Sequence, residues 1–245
     1  MADENSFREN LNWKKLSIDA VNTIIATAIG IILGLLVDNW RESISNQENY
    51  QKVIVATIVN LENYKSQIEN LESYVDYSND EFLNLYSEEF EETDSTMDEI
   101  TYLFFAENFQ QQDRWIEENF ITNGGFIEDA DLRLKIGNVY SLIDLCKNSF
   151  ANLKSISDKA YDKYLDIYVN EDSNKAFDKL ITDKEFMAYS TAVSECKYNV
   201  DLWLKSIDEL TQEIVKIANA DEKQLADMRQ SSKKILDMIS KSREE

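Results

Sequence analysis

Proline and histidine are both absent from this 245-residue chain, and glycine occurs only 5 times. Proline and glycine are the main breakers of helices, so their scarcity predicts long uninterrupted helices and an all-α fold. Without histidine the chain has no His-dependent triad, no imidazole general base and no imidazole zinc ligand. Positive charge is also in short supply: 25 Lys and Arg face 47 Asp and Glu, for a formal net charge of -22. After Asn39 the counts are 22 and 42. A body this acidic repels phosphate backbones, so no nucleic-acid partner is expected. It also repels anionic headgroups and is expected to stand off a membrane surface. There is no compact Asp-x-Asp-x-Asp-Gly loop of the calcium-binding kind, so the acids read as a solvated surface and no metal site is expected.

Only two cysteines occur, Cys146 and Cys196. Isolated cysteines on amphipathic helices serve as small core hydrophobes. In an oxidising compartment this pair has a disulfide as its alternative.

What the chain does have is one long apolar run. Ala20 to Val37 reads AVNTIIATAIGIILGLLV, eighteen residues without a formal charge. As a helix it spans about 27 Å, close to the ~30 Å thickness of a bilayer's hydrocarbon core. Trp13 and Trp40 bracket it as interfacial aromatics do, with Lys14 and Lys15 before it and Arg41 after it. The run leads into Asp38-Asn39-Trp40-Arg41 with no small-residue cleavage site, which predicts an uncleaved signal anchor. Arg8, Lys14 and Lys15 on one flank against Arg41 and Lys52 on the other favour a cytoplasmic N-terminus and an extracytoplasmic body.

Gly30 and Gly34 form a GxxxG pair, and Asn22 and Ala26 continue the same four-residue row. Small residues at this spacing let helix backbones approach closely, so the row is the candidate packing face of a membrane helix; its alternative is a row facing lipid. Asp19 and Asp38 border the run. An intramembrane acid would suggest an ion-conducting or stator-like subunit, whereas at headgroup depth both carboxylates are ordinary interface residues.

The helical pattern then continues. Tyr50, Ile54, Thr57, Leu61, Tyr64, Ile68, Leu71 and Val75 alternate at spacings of four and three, a heptad seam that pairs with another copy or packs on later helices of the same chain. The acidic stretch from Glu88 to Ser95 is the first predicted break, with Ser95 as N-cap of a helix carrying Ile100, Leu103, Phe104 and Phe105. Asn123-Gly124-Gly125 is the clearest turn. A long helix is expected after Asp129 or Asp131, reaching Tyr168; a break at Asn170 to Asn174; and a last long helix opening at Thr182-Asp183, followed by a tail that is either frayed or part of the bundle. The plentiful tyrosines are expected to flank the core. The predicted organisation is a short tail at 1–15, a transmembrane helix at 16–40, a membrane-proximal long helix at 41–92, and an antiparallel helical bundle at 93–245 that packs with it.

Gly30-Ile31-Ile32-Leu33-Gly34-Leu35-Leu36-Val37-Asp38-Asn39-Trp40 and Gly125-Phe126-Ile127-Glu128-Asp129-Ala130-Asp131-Leu132-Arg133, the latter opening a helix that reaches Tyr140, resemble two segments of an uncharacterised bacterial family. That family is a domain-of-unknown-function group of single-pass inner-membrane proteins whose apolar helix ends in Asn-Trp and runs into a long helical domain. After Trp40 this chain departs from it, since relatives there are richer in Lys and Arg. The resemblance implies an inner-membrane anchor at residues 16–40 and a helical domain, and implies no activity.

With no catalytic residues and no cofactor expected, the leading expectation is a non-enzymatic, membrane-anchored interaction or scaffold protein, either a homo-oligomer or part of a membrane complex. A stator-like subunit using Asp19 or Asp38, or a helical sensor signalling through a partner, are the alternatives.

Overall fold

The computed structural model of the chain describes residues 46–93, 95–105, 109, 116–118, 120, 127, 129–171 and 173–244. The expected tail and transmembrane helix fall outside these residues, and none of the described helices is long and apolar enough to cross a membrane. The elements are α1 (Asn46–Leu85), α2 (Thr96–Ile100), a 3-10 turn (Thr101–Leu103), α3 (Ala130–Asn170), α4 (Ser173–Ile181), α5 (Lys184–Ala218) and α6 (Glu222–Glu244). Every regular element among the described residues is helical, as the lack of proline predicts.

Two of the long helices start on aspartate. Asp129 has extended backbone, and its carboxylate accepts from the N–H groups of Asp131 at 2.9 Å and Leu132 at 3.1 Å. Asp183 accepts likewise from Glu185 at 2.9 Å and Phe186 at 3.3 Å. Each satisfies donors that the first turn leaves without an intrahelical acceptor. The C-terminal tail is helical from Glu222 on, forming α6. Asn219, with φ 45°, ends α5. Asparagine takes this left-handed conformation more readily than most side chains.

From Ile54 on, the heptad seam of α1 is buried by this one chain: Ile54, Thr57, Leu61, Tyr64, Ile68, Leu71 and Val75 are all buried, and Tyr50 at its start is half-buried. Of the two uses open to such a seam, packing within the chain is the one realised. On α3 the buried residues Ile136, Val139, Ile143, Cys146, Phe150 and Leu153 repeat at spacings of three and four, and on α5 Phe186, Tyr189, Val193, Cys196 and Val200 do the same.

The chain divides into two compact units. One comprises Met1–Asn60, Gln112–Glu128 and Ala218–Glu245. Here Gln51 of α1 holds the corner between α5 and α6: its amide donates to the Asn219 carbonyl at 3.1 Å and accepts from the Asp221 N–H at 2.9 Å.

The other unit comprises Leu61–Gln111 and Asp129–Ile217. Its core contains a segment that corrects the sequence reading. Ser95 makes no side-chain cap to α2, and its hydroxyl instead meets Glu99 at 2.6 Å. The helix stops after one turn, and Phe104 is extended rather than helical. Tyrosine hydroxyls take over the hydrogen bonds a helix would have made. Tyr189 accepts from the Phe105 N–H at 2.8 Å and donates to the Leu103 carbonyl. The Tyr74 hydroxyl lies 2.7 and 2.9 Å from the carbonyls of Tyr102 and Phe104. Tyr164 donates to the Met97 carbonyl at 2.9 Å. A buried backbone outside regular structure needs such partners. Tyr164 and Tyr189 are therefore fully buried struts, not the core flanks expected of tyrosine. Phe82 and Phe104 each pack on Tyr189, with ring centroids 5.5 and 5.6 Å from it.

Candidate functional site

One group of three carboxylates converges among the described residues. Glu72 and Asp76 lie one turn apart on α1, and Lys197 and Asp201 one turn apart on α5. Residues four apart share a helix face, so each helix presents a pair. Oxygens of Glu72, Asp76 and Asp201 lie within 4.8 Å of one another. Lys197 pairs with Asp76 across the helices and with Asp201 at 3.5 Å. Three acids thus share one ammonium, and the imbalance shows in Glu72. Burial of its carboxyl raises its affinity for a proton, and hydrogen bonding to Asp201 and that residue's charge raise it further, against the opposing pull of Lys197.

Chemically, the arrangement can hold a proton between Glu72 and Asp201. Its positive charge comes from Lys197, paired with Asp76 and Asp201. In the sequence these acids read as a solvated surface, and nothing local marks the group. Its signal is the presence of two i, i+4 pairs, and their meeting depends on the packing of α1 on α5.

Two further ion pairs have the simpler role of joining helices. Lys65 pairs with Asp208, and Lys135 with Glu213 at 2.7 Å. Such exposed pairs add little stability individually.

Cys146 on α3 and Cys196 on α5 are free thiols, and both are buried. Burial pushes the Cys146 thiol up to about 12, with a smaller contribution from Cys196 nearby. Burial raises Cys196 as well, against a hydrogen bond from Ser149 at 3.4 Å. In this state the thiols act as core hydrophobes, and a protonated, inaccessible thiol is a poor nucleophile and metal ligand.

The remaining residues singled out from sequence lie outside the described residues. These are the row Asn22, Ala26, Gly30 and Gly34; the interface group Trp13, Lys14, Lys15, Trp40 and Arg41; the acids Asp19 and Asp38; and the turn Asn123-Gly124-Gly125. The resemblance segment 125–133 is described at residue 127 and from Asp129 onward, where Ile127 and Leu132 are buried and Asp129 caps α3. Compared with known proteins, the chain matches no family model, no curated protein and no solved structure.

Proposed function

We propose that this protein is a membrane-anchored helical interaction or scaffold protein with no catalytic activity of its own, held in a bacterial inner membrane by residues 16–40 with its helical body outside the cytoplasm. The observation that carries this reading is the charge-free run Ala20 to Val37, bracketed by Trp13 and Trp40, ahead of an all-helical body. Eighteen charge-free residues, all but Asn22, Thr23 and Thr27 non-polar and flanked by tryptophan and lysine, are costly to leave in water and are matched to a bilayer.

Self-association follows from the Gly30 and Gly34 row rather than from the heptad seam, because the chain covers that seam itself. The body then contributes outward faces for partners.

The test is gentle detergent extraction of the full chain from native membranes, followed by native mass spectrometry. The expected result is a complex of two or more copies, or of this chain with other membrane proteins. Replacing Gly30 and Gly34 by Ile should dissociate like copies, since close backbone approach is then blocked. Recovery in the soluble fraction, or a lone monomer in every gentle detergent, overturns the reading.

A further inference from the structure

We propose that the outward face of the last turns of α3, built from Tyr161, Leu165, Tyr168 and Val169, docks a basic amphipathic helix of another protein. This rests on the interaction reading above and gives it a surface and a partner chemistry.

Spacing comes first. Steps of four, three and one place the four residues on one helix face, beside that of the buried Ala160, Tyr164 and Ile167. Each is exposed, Val169 to 76%. Single exposed apolar residues are ordinary, whereas contiguous apolar faces with polar rims mark interaction sites.

The face is also rigid. Tyr161 stacks on buried Tyr164 at 6.0 Å between centroids and meets Phe104 edge-on at 5.2 Å. Tyr168 stacks on Tyr164 at 5.5 Å, and its hydroxyl donates to Asp98 at 2.8 Å. One side of each outer ring is fixed by the core and the other is open. Fixed rings lose little freedom on binding, and tyrosines of this kind concentrate binding energy.

Charge selects the occupant. Asp162 lies three residues before Leu165 and seven before Val169, on the edge of the face; Asp98 of α2 accepts from Tyr168, and Glu99 follows it in sequence. Asp158 and Asp166 already hold Lys154 and Lys163. Among the described residues no ion pair engages Asp98, Glu99 or Asp162. A second copy of a chain with net charge -22 would bring acid against acid, and an anionic lipid surface would do the same. A helix with apolar residues on one side and Lys or Arg beside them satisfies both the face and its rim.

The experiment places photoreactive benzoylphenylalanine at Leu165, and separately at Val169, in the full chain made in its own host. The same residue at Leu202, exposed on α5, is the control. The expected result is an adduct at least about tenfold stronger than at Leu202, joined to a segment of another protein with net positive charge and apolar residues at helical spacing. Asp162→Lys should cut that adduct by about tenfold. An adduct to a second copy, to lipid or to a segment without positive charge overturns the proposal, as does a yield no greater than that at Leu202. Fractionation of the same cells tests the anchored reading separately. A soluble chain would overturn that reading without changing what the adduct reports.

Discussion

Tyr189 reaches back along the chain to Phe105, whose backbone N–H it accepts at 2.8 Å inside the core. The same hydroxyl donates to the Leu103 carbonyl, so one side chain satisfies both a donor and an acceptor of a non-helical segment. Tyr189→Phe keeps the ring packing against Phe82 and Phe104 and removes only the oxygen. It leaves a buried N–H without its partner, at a cost of about 1–3 kcal/mol. Urea denaturation should show that loss, while Tyr198→Phe, on an exposed ring, should leave the midpoint in place. Equal midpoints for Tyr189→Phe and the parent would mean the hydroxyl does not hold the segment.

The helix starts give a paired prediction. Asp129→Ala removes an acceptor from two N–H groups and should lower stability by about 1 kcal/mol. Ser95→Ala, at a position that looks just as good in sequence, should change it by only a few tenths, because no side-chain cap exists there. Thermal melts of the two variants side by side decide this, and similar losses for both would contradict the cap geometry.

Gly137 lies in the interior of α3, and a Cβ added there would meet nothing within 4 Å. Gly137→Ala should therefore stabilise the protein by roughly 0.5–1 kcal/mol, through helix propensity alone. A lower melting temperature would show that the position is more crowded than this geometry.

Much of the fold was legible because apolar side chains repeat at helical spacing. Spacing alone marks Ile54, Leu61, Tyr64, Ile68 and Val75 as a seam, and all five are buried; Asp183 reads as a helix start, and it does cap one. Spacing did not say what the seam would meet, because a heptad is equally satisfied by a second copy or by α3 and α5. Phe104 and Phe105 were misread as helical for a different reason. Their backbone partners are tyrosines far along the chain, and local propensity carries no trace of them. The cluster of Glu72, Asp76, Lys197 and Asp201 was illegible on the same grounds, since each pair is an ordinary surface motif until two helices bring the pairs together.

Burial of both thiols predicts their chemistry. Cys146 is held protonated, its pKa pushed up to about 12, and Cys196 is shifted in the same direction. At pH 8 a maleimide should label the folded protein slower than a free thiol by at least about a hundredfold, because reaction waits for opening of the core. In denaturant without reductant, mass spectrometry should count two labels per chain. Rapid labelling of the folded protein would contradict the buried positions, and no label after denaturation would reveal a disulfide in place of the free thiols.

Glu72 makes the stability of the acid–lysine cluster depend on pH. Burial, then the hydrogen bond and charge of Asp201, raise its pKa in the folded state above the ordinary 4.5. The folded protein therefore binds this proton more tightly than the unfolded chain. By linkage, the contribution is favourable below the ordinary carboxyl value and is lost as pH rises through the raised one. Once Glu72 is ionised, the cluster sets the charges of Glu72, Asp76 and Asp201 against the single ammonium of Lys197, with Glu69 adding to the repulsion. Glu72→Gln removes one negative charge and keeps a group that can donate to Asp201. The variant should melt higher than the parent at pH 7, and the gap should close as pH falls toward 4. Glu213, whose pKa Lys135 lowers, serves as the opposite case, since its favourable contribution disappears on acidification. Melting curves of both proteins across this range separate the outcomes. A difference that stays constant with pH, or a variant less stable at pH 7, would mean that Glu72 is held by Lys197 rather than strained by Asp201.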